Sequence, residues 1–292
     1  MGFDDIGFSN AEKLEHLESP YSDWIKKGYN GQMSWLEKNT EERLDPNKLI
    51  PGTKTVISLL SYYYSEEYDS SCGVSRYAVG RDYHKVLKKK GNELITFIRG
   101  LSGEINARAF VDSAPIMERE WAKRAGLGWI GKNGCLIQAK HGSWFFISEI
   151  LIDLDIPADE QQEKNHCGTC TKCIDACPTN ALLGDGLLDA NKCISYLSIE
   201  YKGDFNKDSH ETWDNWIFGC DICQDVCPWN KKPKTLKFLD LKPRKSVMEL
   251  SANLASDEMQ DVVEESILGT PLKRTGVAGL IRNFNWIKPI SD

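Results

Sequence analysis

The sequence lacks the features that place a chain in or across a membrane. No apolar run approaches the roughly 18–20 residues that a membrane-spanning helix needs. The first residues, MGFDDIGFSNAEKLEHLE, are acidic and amphipathic, without the basic start and apolar core of a secretory signal, and they contain no twin arginine. We therefore expect a cytoplasmic protein with no membrane partner.

The sequence also lacks tandem repeats, low-complexity tracts and an excess of positive charge. The net charge of −7 excludes a general electrostatic attraction to nucleic acid, although it leaves room for a local basic patch. One such stretch is residues 230–245, NKKPKTLKFLDLKPRK, with seven basic residues and a single acid. It is compatible with a solvated linker or with a binding patch for nucleic acid.

Cysteine is the residue that the sequence has in excess. The chain of 292 residues contains ten cysteines, and eight of them lie between Cys167 and Cys227. A disulfide framework is typical of small secreted domains, and this chain is neither small nor equipped with a recognisable export signal. The short spacing of the eight therefore indicates a metal centre, whereas Cys72 and Cys135 are expected to be ordinary thiols.

Helical and strand patterns alternate over residues 1–160. Apolar, β-rich segments predict strands over 55–64, 107–113 and 144–153, and helical spacing of apolar residues predicts a helix over 82–101. This alternation suggests an α/β (α+β) layered fold.

Two further helices are predicted from terminal signals. Ser9-Asn10-Ala11-Glu12 has the form of a capping box that opens a helix. Pro115 suits the first turn of a helix that ends at Gly126.

The eight clustered cysteines fall into two runs with one cysteine between them. The first run is C-x2-C-x2-C-x3-C-P and the second is C-x2-C-x3-C-P. In chain order the eight are Cys167, Cys170, Cys173, Cys177, Cys193, Cys220, Cys223 and Cys227. In two-cluster ferredoxins three closely spaced cysteines bind one [4Fe–4S] cluster, and the cysteine before proline binds the other. The spacing therefore predicts two such clusters.

Two [4Fe–4S] clusters need eight thiolates, and the clustered cysteines supply eight with none left over. The first cluster is expected to take Cys167, Cys170, Cys173 and Cys227. The second cluster is expected to take Cys177, Cys193, Cys220 and Cys223. A pair of Zn(Cys)4 sites is the alternative, but zinc sites favour two separated C-x2-C pairs over three consecutive cysteines followed by a Cys-Pro.

A glycine motif in residues 126–134, GLGWIGKNG, has the spelling Gly126-x-Gly128-x-x-Gly131 of dinucleotide-binding proteins and nearly spells a P-loop. Both motifs need a strand before the glycines and a helix after them. Here a helical pattern precedes, none follows, and Asn133 stands where a P-loop has Ser or Thr. We therefore expect no NAD or ATP site, and we expect the glycines to let the backbone lie close to a large flat ligand.

Asp112 is the candidate for acid–base chemistry in the first part of the chain. It lies at the end of a predicted strand, where a loop opens, so its carboxyl group could act as a general acid. It could equally cap the helix that begins near Pro115. The polar run SRYAVGRDYH, residues 75–84, is compatible with a ligand-facing loop or with a charged helix start.

Several long motifs together resemble the epoxyqueuosine reductase family. They are SRYAVGRDYH, VDSAPIMEREWAKRAGLGWIGKNG, GSWFFISEIL, the first cysteine run with a later CIS, and FGCDICQDVCPWN, and they cover roughly residues 1–230. The resemblance implies an enzyme that reduces the epoxide of epoxyqueuosine, at the anticodon wobble position of tRNA, to the alkene of queuosine, the last step of that biosynthesis. It also implies cobalamin as the reactive centre, two [4Fe–4S] clusters that supply electrons, and an external electron donor of flavodoxin or ferredoxin type.

The resemblance further implies three parts in a monomer. A nitroreductase-like, cobalamin-binding catalytic domain is expected over residues 1–160, a bacterial ferredoxin-like domain with two clusters over 161–230, and a basic linker with a short helical tail over 231–292. The tail is too short for the helical repeats of HEAT type that longer members carry and that help to hold tRNA. Residues 231–245 therefore become a candidate for tRNA binding.

Roles for individual residues also follow from the resemblance. Asp112 matches the proton donor beside the cobalt, and a buried carboxylic acid with a raised pKa is the expected donor. His84 is not expected to ligate cobalt, because Leu87 replaces the glycine of the motif D-x-H-x-x-G. The expected cobalamin contacts are Arg43, Ser75, Asp112, Asn133, Leu136, Ile147, Ser195, Cys220 and Asp221. The alternatives are a reductive dehalogenase-like cobalamin and iron–sulfur oxidoreductase acting on a small molecule, and an electron-transfer protein without a substrate.

Overall fold

The computed structural model describes residues 1–159, 163–205, 213–256 and 259–287. Within these ranges no helix is long and apolar enough to cross a membrane. The strands are β1 Asp5–Asn10, β2 Thr55–Tyr62, β3 Ala107–Phe110, β4 Trp129–Ile130, β5 Leu136–Ile137, β6 Phe145–Ile152, β7 Leu182–Gly184 and β8 Leu187–Leu188. The α-helices are α1 Glu18–Lys26, α2 Thr40–Leu44, α3 Pro46–Leu49, α4 Tyr83–Ser102, α5 Glu118–Arg124, α6 Lys172–Asp175, α7 Ile194–Ile199, α8 Ile222–Asp225, α9 Lys245–Met248, α10 Leu250–Leu254, α11 Met259–Ile267 and α12 Gly276–Ile287.

A four-stranded sheet forms the centre of the first part of the chain. Its order is β1-β2-β6-β3, and each neighbouring pair is antiparallel. Every residue of β2 is buried, as its nearly unbroken run of apolar residues suggests. The three predicted strands are confirmed as β2, β3 and β6, with somewhat shorter bounds. The fold is mixed α and β, built on an antiparallel sheet.

The helix predicted to start at Ser9 is wrong. Ser9 and Asn10 instead belong to β1, where they pair with two residues of β2. The first α-helix begins only at Glu18. A capping signal is local and weak, and the pairing of β1 with a fully buried neighbouring strand outweighs it.

The predicted long helix is confirmed as α4. Asp82 caps its N-terminus by accepting a hydrogen bond from the backbone N–H of His84. Gly103 follows its last residue with a φ of 84°. Gly91 faces β3 so closely that a Cβ atom there would lie 2.8 Å from the Cβ of Ala109. This close packing holds the middle of α4 against β3.

The helix α5 begins later than the sequence suggests. Its N-cap residue is Met117, so Pro115 precedes the helix and does not lie in its first turn, and Asp112 does not cap it. The predicted end is confirmed, because Gly126 follows the helix with a φ of 74°. Between β3 and α5 the chain turns through Asp112, whose φ of 47° is in the left-handed region that few residues other than glycine adopt.

The cysteine-rich part and the tail share a core with a segment of the first part. Val74 and Val79 lie in one buried cluster with Phe218, Leu250 and Leu280. The division into three domains remains a prediction. Its boundary between residues 160 and 161 and the end of its tail lie outside the described residues.

Candidate functional site

Four cysteines from both runs face a common cavity of about 300 Å³. They are Cys167, Cys170, Cys173 and Cys227. Lys132 Nζ fixes the loop between the first two by donating hydrogen bonds to the carbonyl oxygens of Gly168 and Cys170 over 2.8 and 3.1 Å. Burial raises the pKa of Cys173, and the nearby Cys167 and Cys227 raise it further. The four thiols therefore lie close enough together to affect each other's pKa.

The other four cysteines form a second set, Cys177, Cys193, Cys220 and Cys223. Burial raises the pKa of Cys193, and Cys177 adds to this effect. Burial also raises the pKa of Cys220, and Cys193 and Cys177 raise it further. Cys135, expected to be an ordinary thiol, lies close enough to raise the pKa of Cys223, again after the larger effect of burial.

The structure thus brings the eight cysteines together in the two sets that their spacing predicts, while their ligation of clusters remains a prediction. Cys177 and Cys227 leave their own runs at a Cys-Pro step, and at Cys227 the backbone is extended with φ −68° and ψ 123°. In the described part of the chain, no three Cys, His, Asp or Glu side chains are placed to hold a single metal ion.

Asn133 connects the two sets of cysteines. It lines the first cavity, and its Nδ2 donates to the carbonyl oxygen of Cys223 over 3.4 Å. The glycines before it serve the local fold. A Cβ atom on Gly128 would lie 2.2 Å from the carbonyl oxygen of Ile137, and one on Gly131 would meet the Ile137 side chain at 2.4 Å. Among the described residues their close neighbour is the hairpin β4–β5 itself, and the expectation that these glycines approach a large ligand remains a prediction.

Asp221 is a buried carboxyl group beside the second set of cysteines. Its Oδ2 accepts hydrogen bonds from the backbone N–H of Arg76 over 2.8 Å and from Arg76 Nη1 over 3.3 Å. Burial raises the pKa of Asp221 to about 6, and the pairing with Arg76 limits the rise. Ser75 is fully buried next to it. The structure therefore brings together three predicted cofactor contacts, Ser75, Cys220 and Asp221.

Asp112 lies at the end of β3 and faces solvent. Its side chain is 63% exposed, so the expectation of a buried acid is wrong for this residue. Tyr83 donates its hydroxyl hydrogen to Asp112 Oδ2 over 2.5 Å, and His84 Nε2 lies 3.8 Å from the same oxygen. The polar run over residues 75–84 therefore ends in the start of α4, and its Tyr83 and His84 also face Asp112.

Glu118 is the carboxyl group with a raised pKa at this site, and the sequence reasoning missed it. The backbone N–H of Asp112 donates to Glu118 Oε1 over 2.6 Å. Burial raises the pKa of Glu118 to about 8, the charge of Asp112 adds to the rise, and the hydrogen bond and Arg119 oppose it. The signal in the sequence is a second acid six residues after Asp112, beyond a proline that suits a turn.

Aromatic stacking fixes the hydroxyl of Tyr83. Its ring stacks on Phe146 of β6 with centroids 4.1 Å apart and planes 10° apart, and on His84 at 4.0 Å. Burial and the Asp112 charge raise the pKa of Tyr83, so it stays a hydrogen-bond donor. Tyr83 is thus held as a partner of Asp112 by the central sheet.

The remaining predicted contacts belong to different elements. Arg43 is buried, donates from Nη2 to the carbonyl oxygen of Trp35 over 3.1 Å, and has no partner for Nε among the described residues. Leu136 and Ile147 pack in one apolar cluster. Ser195 lies in α7, where its carbonyl oxygen accepts a hydrogen bond from Ser198. Among the described residues no hydrogen bond joins Arg43 or Ser195 to Asp112.

Two sets of four cysteines in this pattern are typical of proteins that bind two iron–sulfur clusters. Residues 166–230 match the family described as a 4Fe-4S double cluster binding domain. Residues 43–113, which end just after Asp112, match the family of epoxyqueuosine reductase QueG.

Relatives along nearly the whole chain identify the family. The chain is 42% identical to an epoxyqueuosine reductase of Cyclobacterium marinum, over 99% of this chain and 93% of the relative. A crystal structure of epoxyqueuosine reductase with a tRNA-Tyr stem loop modified with epoxyqueuosine superposes with a TM-score of 0.86 at 28% identity, covering 98% of this chain and 77% of that one. The Bacillus subtilis enzyme, solved with an aspartate-bearing catalytic loop swung out of the active site, gives 0.83 at 28% identity with the same coverage. The chain belongs to the epoxyqueuosine reductase family.

Proposed function

We propose that this chain reduces the epoxide of epoxyqueuosine in tRNA to the alkene of queuosine. The observation that carries the proposal is the 42% identity to an epoxyqueuosine reductase over 99% of the chain. The local chemistry agrees with it, since a solvent-facing carboxyl group stands beside a hydroxyl donor and the same chain holds two sets of four thiols.

The cysteine sets fit two [4Fe–4S] clusters. The first set surrounds a cavity, and in both sets the thiols interact through their charges. Cys167, Cys170, Cys173 and Cys227 would hold one cluster, and Cys177, Cys193, Cys220 and Cys223 would hold the other. Such clusters supply electrons one at a time.

Cobalamin is the reactive cofactor of the proposal, in a first domain of nitroreductase type. When bound, it delivers electrons to a carbon of the epoxide. The buried Nε of Arg43 has no hydrogen-bond partner in the described part of the chain. Buried donors are normally paired, so this N–H is available to donate to an acceptor on the bound cofactor. The residues proposed to hold the cofactor are Arg43, Ser75, Asn133, Leu136, Ile147, Ser195, Cys220 and Asp221.

The reaction defines what Asp112 must do. Epoxide, two electrons and two protons give alkene and water, so both carbon–oxygen bonds break and the oxygen leaves fully protonated. An alkoxide is a poor leaving group, and a carboxylic acid next to it lowers this barrier by general acid catalysis. Tyr83 orients the Asp112 carboxyl group through its hydrogen bond to Oδ2, and the exposure of Asp112 leaves it accessible to a large substrate.

The partner is tRNA that carries epoxyqueuosine, as in the crystal structure with the modified stem loop. We propose that the chain acts as a monomer in the cytoplasm and receives electrons from a small donor of flavodoxin or ferredoxin type. The two proposed clusters would each accept and pass on one electron at a time, which suits such a donor.

The test is an anaerobic assay of the chain reconstituted with iron, sulfide and cobalamin, a low-potential reductant and tRNA bearing epoxyqueuosine. Queuosine should form, and omission of cobalamin should abolish it. Unchanged epoxyqueuosine, with iron and cobalamin shown to be bound, would contradict the proposal.

A further inference from the structure

The first turn of α4 connects the candidate active site to a basic surface. His84 lies 3.8 Å from the carboxylate of Asp112. In an α-helix, residues four apart lie on the same face, one above the other. Lys88 therefore follows His84 on the side of α4 that faces the site, and Lys85 and Lys89 form a parallel pair next to it.

These three lysines are free to bind an anion. Lys85, Lys88 and Lys89 are exposed and line a shallow groove with Asn92, Glu93 and Thr96. The hydrogen bond from Lys90 lowers the pKa of Glu93 and the charge of Lys89 helps to lower it, but within the described ranges none of the three lysines forms an ion pair. Their neighbour Lys90, by contrast, pairs with Glu93 over 2.8 Å. Three unpaired positive charges in a row are notable in a chain whose net charge is −7.

The basic stretch of the tail, residues 230–245, differs from the lysines of α4 because several of its lysines form ion pairs within the chain. Lys234 and Lys237 both pair with the buried carboxylate of Asp4, at 3.5 and 3.0 Å. Lys242 pairs with Glu67 over 2.9 Å. Much of the charge that made residues 230–245 a candidate for RNA binding is therefore neutralised within the chain, and Lys231 and Lys232 remain exposed without an ion pair in the described part.

We propose that Lys85, Lys88 and Lys89 contact the phosphates of the tRNA stem whose modified base reaches Asp112. The inference rests on the proposed function and adds the surface that holds the substrate. The row covers about 6 Å of helix, at about 1.5 Å per residue, and it leads directly away from the candidate acid. Flexible ammonium groups suit phosphate contacts, which carry affinity without sequence information.

The test compares two variants of equal charge, Lys88→Glu/Lys89→Glu on α4 and Lys231→Glu/Lys232→Glu on the tail. Binding of tRNA bearing epoxyqueuosine is measured by fluorescence anisotropy at several salt concentrations. The α4 variant should bind at least tenfold more weakly, and the slope of log K against log salt should fall by about 1.5, since each phosphate contact contributes about 0.7–0.9. The tail variant should change affinity less than threefold.

Rates separate this inference from the proposed function. At saturating tRNA the α4 variant should keep kcat within twofold of the wild type, with cluster absorbance unchanged, while KM rises. Wild-type affinity in the α4 variant, or equal weakening in both variants, would overturn the inference even if the wild type makes queuosine. A wild type that binds the tRNA but makes no queuosine would defeat the proposed function alone.

A second inference rests on the proton count of the same reaction. Two protons are consumed for each epoxide, and Asp112 carries one at a time. The second proton has to reach Asp112 from solvent or from a neighbouring acid, and Glu118 accepts the Asp112 backbone N–H over 2.6 Å. Behind them lies Glu149 of β6, fully buried, whose Oε2 accepts from Ser58 over 2.8 Å and whose Oε1 has no partner in the described part.

The charges around Glu118 favour its protonated form. Asp112 and Glu149 are acidic neighbours, and Arg119 is the basic one that opposes them. Asp112 also faces Tyr83 and His84, and its charge acts on Arg274, which is bound to Glu200. Burial is the largest cause of the raised pKa of Glu118, at about 8, and this direction favours the protonated carboxyl group at neutral pH.

We infer that Glu118 is the positioning residue of the Asp112 loop and the source of the second proton, which it passes to Asp112 after the first carbon–oxygen bond has broken. The proton leaves Glu118 as the carboxylate forms, restores the acid form of Asp112, and departs with the oxygen as water. Solvent then reprotonates Glu118. This step also rests on the proposed function.

The test is the pH dependence of single-turnover rates of reduced holoenzyme, for the wild type, Glu118→Gln and the exposed control Glu104→Gln. Glutamine keeps the hydrogen-bond acceptor for the Asp112 N–H and cannot supply the proton. The wild-type and control rates should fall above about pH 8, where Glu118 loses its proton. The Glu118→Gln rate should be at least tenfold lower at pH 7 and lack that fall.

An independent readout is the infrared band of a protonated carboxyl group, which should disappear near pH 8 in the wild type and be missing in Glu118→Gln. A wild-type rate in Glu118→Gln would overturn the inference, and so would a slower rate with the wild-type pH profile, which signals a structural role only. If the wild type forms no queuosine at any pH, the proposed function fails, while the infrared result still decides whether Glu118 holds a proton.

Discussion

The backbone N–H of Asp112 donates to Glu118 Oε1 over 2.6 Å, and this bond ties the loop after β3 to the first turn of α5. Asp112 adopts a left-handed φ of 47° there. Such a conformation costs free energy for a residue with a side chain and persists where the surroundings hold it. The bond is therefore part of what points the Asp112 carboxyl group towards Tyr83 and solvent.

Replacing the candidate acid should stop the chemistry and spare the cofactors. Asp112→Asn removes the proton but keeps the size of an exposed side chain, so cluster absorbance and cobalamin binding should match the wild type. Turnover should fall by about 10²–10⁴, the usual contribution of general acid catalysis. Full turnover in this variant would remove Asp112 from the mechanism.

Removing the hydroxyl of Tyr83 should have a smaller effect. Tyr83→Phe retains the ring that stacks on Phe146 at 4.1 Å and loses only the 2.5 Å hydrogen bond to Asp112. A hydrogen bond to the neutral acid form of Asp112 is worth roughly 0.5–1.5 kcal/mol, so kcat should fall about two- to tenfold with little change in KM for tRNA. A rise in KM with unchanged kcat would show that Tyr83 serves binding instead.

The pKa of Glu118 should appear in the stability of the protein. It is raised from 4.5 to about 8, so the folded chain holds this proton more tightly than the unfolded chain, and the free energy of unfolding falls as pH rises through that range. Glutamine has no proton to lose, so Glu118→Gln removes this decrease in the free energy of unfolding. The thermal midpoint of the variant, relative to the wild type, should therefore increase between pH 5 and pH 8.5, whereas Glu104→Gln should show a constant difference.

Paired cysteine variants test the crossover of ligands between the two runs. Cys173 and Cys177 lie in one run but face different sets, whereas Cys177 and Cys223 lie in different runs and face the same set. Cys173→Ser/Cys177→Ser should lose both clusters, and Cys177→Ser/Cys223→Ser should keep one, with about four of about eight irons. Equal iron contents in the two variants would contradict this assignment, and Cys72→Ser is the control that keeps all iron.

What the sequence could predict depended on short-range order. Cysteine spacing and the Cys-Pro steps predict the two sets, because closely spaced cysteines converge locally and the two-cluster ferredoxin pattern assigns the cysteine before proline to the other set. The long helix α4 followed from its apolar spacing, and β2 and β6 from their β-rich composition. In each case the signal and the structure involve the same residues.

What the sequence could not predict depends on partners distant in the chain. The pairing of Ser9 with β2 overrode a local capping signal. Glu118 was missed because its bond to Asp112 requires an unusual backbone conformation that residue types alone do not indicate. The neutralisation of the tail lysines by Asp4 required knowing that residues more than 200 positions apart meet.

The most direct test of the central claim is the mass of the nucleoside released from tRNA after reaction with the reduced, cobalamin-loaded chain. Epoxyqueuosine should lose the mass of one oxygen atom and appear as queuosine, and Asp112→Asn should leave it largely unchanged. If the wild-type chain, with both clusters and cobalamin bound, returns epoxyqueuosine of unaltered mass, this chain does not reduce the epoxide and the proposed function is wrong.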